Sequence, residues 1–311
     1  MSPPHLGLRR RLDRHGPGLP RHGHTLFLEV AREEKLGFSL ALVRSEQEKT
    51  YLKRRLGKGR IAPLEPAPEL NEEVIEHSAH IAGMMGDEPL SEALNRGRMS
   101  LLAGKTSDTS IFACVPLRMG SNRGLTWHAA KILECGATCA VSRKRSDGVF
   151  GWIRDDHVTI DPLDPEMRCT PQSVASHTLY ENADPFHITE PGGILDTTGS
   201  NFTNEDNRSV SVQGSAYHMA DRYSVKLEGA ELAGYQSIIV GGVRDPYIIS
   251  QIDSWPDGMR EGFAGRAKEI LGSSDGNQDY RLIIRVYVCD AVMGPLEPLR
   301  ETPHEVACCS R

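Results

Sequence analysis

Residues 168 to 197, RCTPQSVASHTLYENADPFHITEPGGILDT, bring Arg168, His177, Tyr180, Glu181, Asn182, Asp184 and His187 into twenty positions. Ionisable and amide side chains lose hydration when buried without partners, so a purely structural segment seldom collects this many. A substrate site does need them, to orient a ligand and to stabilise charge. From Pro171 the spacing is helical, which puts His177 and Glu181 four residues apart on one face. An imidazole oriented by a carboxylate is a proton-transfer device. The alternative is an ordinary surface pair worth a few tenths of a kcal/mol. Asn182 and Asp184 follow closely and are read as substrate contacts.

Three further clusters have chemical potential. Arg154-Asp155-Asp156-His157 is a polar turn between Val149–Ile153 and Val158–Ile160, both strand-like. Asp156 and His157 there suit acid–base work, and Arg154 suits an anion; the same composition also suits a solvated turn. Lys105, Ser107 and Asp108 lie between a strand and a helix, where backbone amides favour an anion or a capping side chain. A phosphate loop is excluded, because Met99 stands where that motif requires glycine. Arg244 and Asp245, in Gly241-Gly242-Val243-Arg244-Asp245-Pro246, open a second strand-to-helix turn. Neither a nucleophile elbow nor a dinucleotide fingerprint is present.

The elements that must position these groups alternate. Helices are expected at Leu26–Lys35 with Gly37 as the stop, Ser45–Leu56, from Asn71, Glu88–Leu94, Thr109–Leu117, Leu125–Ala137 and Pro246–Trp255. Strands are expected at Phe38–Val43, Met99–Ala103, Val210–Val212, Tyr223–Leu227, Tyr235–Val240 and Tyr280–Val288. Ser200–Arg208 reads as a loop. The pattern is that of an α/β fold, a layered and partly parallel sheet with flanking helices and a strand-richer second half. The expected organisation is a disordered basic tail (1–24), an α/β part (25–146), a strand-richer part (147–305) and a short tail (306–311).

Composition narrows the classes. Hydrophobic residues make up 39% and charged residues 25%, usual for a globular chain. A net charge of −6 argues against a broad nucleic-acid surface, and no apolar run has the length of a membrane span. Seven cysteines without a visible secretory signal imply reduced thiols and a cytoplasmic location. Cys135 and Cys139 have helix spacing but lack two further ligands, so no metal site is expected.

Taken in order, GKTSDTSIF, LECGA, WIRDDH, CTPQSVASHTLYENADPF, EPGGILDTT, VKLEGAELAGYQSI and GGVRDP resemble the acyclic terpene utilisation (AtuA) family over residues 25 to 305. The resemblance implies a place in the breakdown of acyclic terpenes or related branched acyl compounds. It does not imply a mechanism. It also implies a longer family N-terminal region, with a glycine-rich strand-turn, that this chain does not match. The expected activity is a lyase- or hydratase-type step on a carboxylate or acyl-coenzyme A, coenzyme A entering only as part of the substrate. Arg154 and Arg244 would hold the anion, and His177 or His157 would move a proton with Glu181 or Asp156. A homo-oligomer or a pathway enzyme is the expected partner. A noncatalytic assembly subunit and an inactive fragment are the alternatives.

Overall fold

The structure, a computed structural model, describes residues 21–64, 67, 69–98, 100–142, 147–271, 280–299 and 303–310. It is mixed α/β, built from several small sheets, and divides into two compact units, Met1–Leu232 and Ala233–Arg311. The expected tail through residue 20 and Met99 lie outside the described residues.

The first unit begins with helix α1 (Arg21–Glu33), so Arg21 to His24 are helical rather than tail. Gly37 is not its stop. The chain turns at Lys35, φ 55°, while Leu36 N–H donates to the Ala31 carbonyl. Strand β1 (Leu40–Val43), α2 (Lys49–Leu56), α3 (Glu72–His77), β2 (Ser78–Gly83), α4 (Glu88–Asn95), β3 (Ser100–Ala103), α5 (Asp108–Arg118) and α6 (Arg123–Leu133) follow. Asn71 caps α3 by accepting from Val74 N–H at 2.9 Å, as its type predicts. A 3₁₀ turn, Gly136–Cys139, then leads to β4 (Ala140–Val141), β5 (Val149–Ile153), β6 (Val158–Pro162), β7 (Arg168–Cys169) and α7 (Pro171–Thr178). The unit ends with β8 (His187–Glu190), β9 (Gly193–Asp196), β10 (Asn201–Asn204), β11 (Val210–Gln213), β12 (Ala216–Met219) and β13 (Leu227–Glu231).

Among the described strands the parallel pairing is β1 with β3; the other ladders are antiparallel. The parallel sheet expected from the sequence is therefore a two-stranded piece beside small meanders. Their orders are β10-β11-β6-β5 and β12-β9-β8, with β13-β2 and β4-β7 as two-stranded pairs. Ser200–Arg208 is not all loop: β10 lies within it, paired Phe202 to Val212. The strand expected at Tyr223 starts four residues later, at Leu227.

Helix α6 is the centre of this unit. Every residue from Gly124 to Ile132 is buried. Leu125, Ala129 and Ile132 face a core of Val158, Ile160, Val174, Val210 and Val212. Trp127 and Ala130 face Ala113, Ile188 and Leu195, and Trp127 stacks on Tyr217 at 5.3 Å. Gly124 admits β12 against the helix: a Cβ there would lie 2.1 Å from the Ser215 carbonyl oxygen.

In the second unit, β14 (Ile239–Val243), α8 (Pro246–Ile249), α9 (Trp255–Leu271), β15 (Ile284–Tyr287) and β16 (Val306–Ser310) appear in order. The sheet order is β14-β16-β15, so residues 306 to 310, expected as a tail, form its middle strand. Of the helix expected from Pro246 to Trp255, Pro246–Ile249 is helical and a turn follows before α9 starts at Trp255; the long strand from Tyr280 shortens to four residues. Ile249, Ile252, Ile284, Val286 and Val306 form this unit's core.

Gly124→Ala pushes a methyl into backbone, which cannot rotate away. We expect a loss of about 1–3 kcal/mol in urea unfolding, although alanine is intrinsically the better helix residue.

Candidate functional site

One buried polar group in the first unit joins three elements. Ser107 occupies the N-cap position of α5 but makes no capping bond; its Oγ donates to Glu190 Oε2 of β8 at 2.6 Å. Thr109, in the first turn of α5, donates to Glu134 Oε2 at 2.7 Å. Lys131, near the end of α6, donates to the other oxygen of Glu134. The Lys131 and Glu134 side chains are 9% and 8% exposed, so this ion pair is out of water. In that setting each charge depends on the other, since an isolated buried charge is costly.

Glu190 differs from Glu134. Among the described residues no cation is hydrogen-bonded to it, and burial raises its carboxyl above the usual range, against the more distant Lys131. The hydroxyls of Ser107 and Thr109 oppose that rise, and the nearby negative charge of Glu134 adds to it. Two carboxyls in one cluster are thus placed in unlike environments, the arrangement that separates an acid from a base.

Residues on the solvent side are also titratable. Cys135, partly exposed, has its thiol pushed up by burial and then by Glu134, against Lys131, with smaller contributions from Glu181 and Asp108. Asp108 begins α5, and Glu181 lies just beyond α7. The charge of Glu181 also raises the Tyr180 hydroxyl. Tyr180 stacks on His177 with ring centroids 5.8 Å apart. His177 is buried and lies 3.2 Å from Thr138 Oγ1, in the turn after α6.

Several residues expected at the site therefore gather here: Ser107, Asp108, His177 and Glu181. The expected relation of His177 to Glu181 does not hold. Helix α7 ends at Thr178, and Glu181 has turned to φ 59°, so the two are not stacked on one helical face. The helix starts instead from a capping box between Thr170 and Ser173.

The other candidates lie elsewhere. Lys105 pairs with Glu228 of β13 at 3.3 Å. Asn182 donates to the Thr178 carbonyl at 2.6 Å, closing the end of α7. Asp184 accepts from the Phe186 and His187 amides, both at 2.8 Å. At the β5–β6 turn, His157 Nδ1 is 2.7 Å from Asp156, and its Nε2 is 3.9 Å from Glu205. The Arg154 guanidinium lies 5.9 Å from the Trp152 ring. That hairpin forms as the apolar runs flanking its polar turn predict, but it is a separate surface cluster. In the second unit, Asp245 caps α8 through the Tyr247 and Ile248 amides, and Arg244 reaches Glu305 at 3.5 Å.

Sequence reasoning missed Thr109, Lys131, Glu134 and Glu190. A signal existed for Lys131, a lone charge in the apolar run Ala129–Leu133. His128, one turn earlier, is fully buried between Ser215 Oγ at 2.6 Å and Thr178 Oγ1 at 3.1 Å. Burial lowers its pKa to about 4, which makes it a neutral core histidine.

No family model matches the chain, and neither the curated proteins nor the solved structures offer a match.

Lys131→Met leaves Glu134 buried without its ion-pair partner, at an expected cost of about 3–5 kcal/mol in chemical denaturation. Adding Glu134→Gln should restore much of that loss. Glu190 contributes a pH dependence of definite sign. Its folded pKa is raised, so the folded chain holds this proton at pH values where the unfolded chain has released it. Its contribution to stability falls as pH rises from the unfolded value through the folded one. Melting temperature followed over that range should decline less in Glu190→Gln than in the wild type.

Proposed function

We propose that the first unit carries a proton-transfer site and that the chain is an acyclic terpene utilisation protein acting on a branched carboxylate or its coenzyme A thioester. The observation that carries the chemistry is the pair of buried carboxyls, Glu190 raised above the usual range by burial and Glu134 held in an ion pair with Lys131. A lyase or hydratase step needs two such groups. One takes a proton from carbon or water; the other delivers a proton to the departing or receiving atom. Glu134 is the base and Glu190 the acid. Ser107 and Thr109 orient the carboxyls, and the first turn of α5 offers amide hydrogens to a substrate oxygen.

Tyr180 lies beside Glu181 and stacks on the buried His177. The ordered motifs of residues 104 to 246 support the substrate class, since their resemblance is to proteins of branched acyl breakdown. The Arg154–His157 turn has its own partners and plays no part in the proton transfer.

The test is exchange of carbon-bound hydrogen for deuterium. The full chain is incubated in D₂O with a panel of branched acyl-coenzyme A esters and their free acids, and products are read by mass spectrometry. Wild type should incorporate deuterium into at least one compound. Glu190→Gln and Glu134→Gln should each slow exchange by about 10²–10⁴-fold, with circular dichroism unchanged. Absence of exchange across the panel, together with stable co-purification of another enzyme, would point to the noncatalytic role and end this reading.

A further inference from the structure

Strand β14 lies at the margin of the second unit's sheet. Among the described residues its ladder is with β16 alone, and its other side carries no strand. A bare strand edge presents unpaired amide hydrogens and carbonyls, which natural sheets guard with charges, proline or a bulge. None of these guards is present. Tyr235 to Val243, YQSIIVGGV, contains neither a charge nor a proline, and β14 pairs with β16 without a register shift. Tyr235, Ile238, Ile239 and Val240 are 97%, 61%, 69% and 73% exposed. Large apolar side chains left together in water along one segment mark a contact surface.

Gly241 and Gly242 supply an independent observation. A glycine inside a strand forgoes packing and is costly to order. Neither residue has a positive φ, and a Cβ on either would meet nothing within 4 Å. Among the described residues, then, nothing requires glycine at these two positions. The reason that remains is close approach from outside by another chain's backbone or a bulky side chain.

The edge is therefore bulky in its first half and bare in its second, and an antiparallel copy of itself is its complement. With Val240 opposite Val240 of a second copy, Ile239 faces Gly241 and Ile238 faces Gly242, each pair on one face of the sheet. A large side chain over a cross-strand glycine covers the backbone that the glycine leaves open. In the same register Arg244 lies opposite Gln236 and Asp245 opposite Tyr235, so no like charges meet. We propose that the chain forms a homodimer through β14, two three-stranded sheets joining into one continuous sheet about a two-fold axis. The dimer does not depend on the proton-transfer reading.

The experiment is sedimentation equilibrium of the full chain over a range of loading concentrations. Wild type should show a reversible monomer–dimer equilibrium. Val240→Lys sets two ammonium groups against each other at the axis, and Val240→Glu two carboxylates. Each should raise the dissociation constant at least about tenfold. An equimolar mixture of the two variants should dimerise again, because lysine then faces glutamate; misfolding cannot produce that recovery. Gly242→Val fills the space that receives Ile238 and should weaken the dimer by about tenfold, with circular dichroism unchanged. Wild type that is wholly monomeric at about 0.1 mM would overturn the proposal. So would a dimer that survives Val240→Lys, or charged variants that stay monomeric when mixed.

Discussion

Helix α6 has no solvent face from Gly124 to Ile132, yet it carries His128 and Lys131 through the middle of the first unit. A polar group brought into such a place must find a partner or cost free energy. His128 finds Ser215 and Thr178, and it is neutral there. Lys131 cannot be satisfied by hydroxyls alone. It draws in Glu134, which draws in Thr109 from α5, and the same region holds Ser107 with Glu190. The need to satisfy one buried helix thus assembles side chains from α5, α6 and β8.

The same constraint makes the candidate site chemically asymmetric. Glu134 has a cation and a hydroxyl; Glu190 has hydroxyls and burial. One carboxyl is paired with a cation and the other is pushed up by burial, although they are the same residue type. On the opposite side of the β12-β9-β8 sheet, solvent replaces the core, and histidine and aspartate meet without that penalty. A single sheet therefore separates two chemical environments by the alternation of its strands.

Local structure was legible where one side chain decides it. Asn71 reads as a cap and caps α3. The apolar runs around Arg154–His157 read as a hairpin, and β5 pairs with β6 through Trp152 and Thr159. Endings were less legible. Lys35, not Gly37, takes the left-handed turn, because the last helical hydrogen bonds close two residues before the glycine. Val306–Ser310 looked like a tail because strand pairing in the middle of a sheet depends on partners about twenty and seventy residues away.

By itself the sequence determined the α/β class, the Asn71 cap, the β5–β6 turn, and the crowding of polar groups from residue 168 to 187. Those follow from backbone preference and from patterns that repeat within a few positions. Only the tertiary structure decided which of the charged groups lose their water. Ser107, Asp108, His177 and Glu181 lie around buried Lys131, Glu134 and Glu190, while Lys105, Asp156 and His157 have partners at other places on the first unit. Spacing along a chain cannot report desolvation, because desolvation is set by atoms from other segments packed around the group.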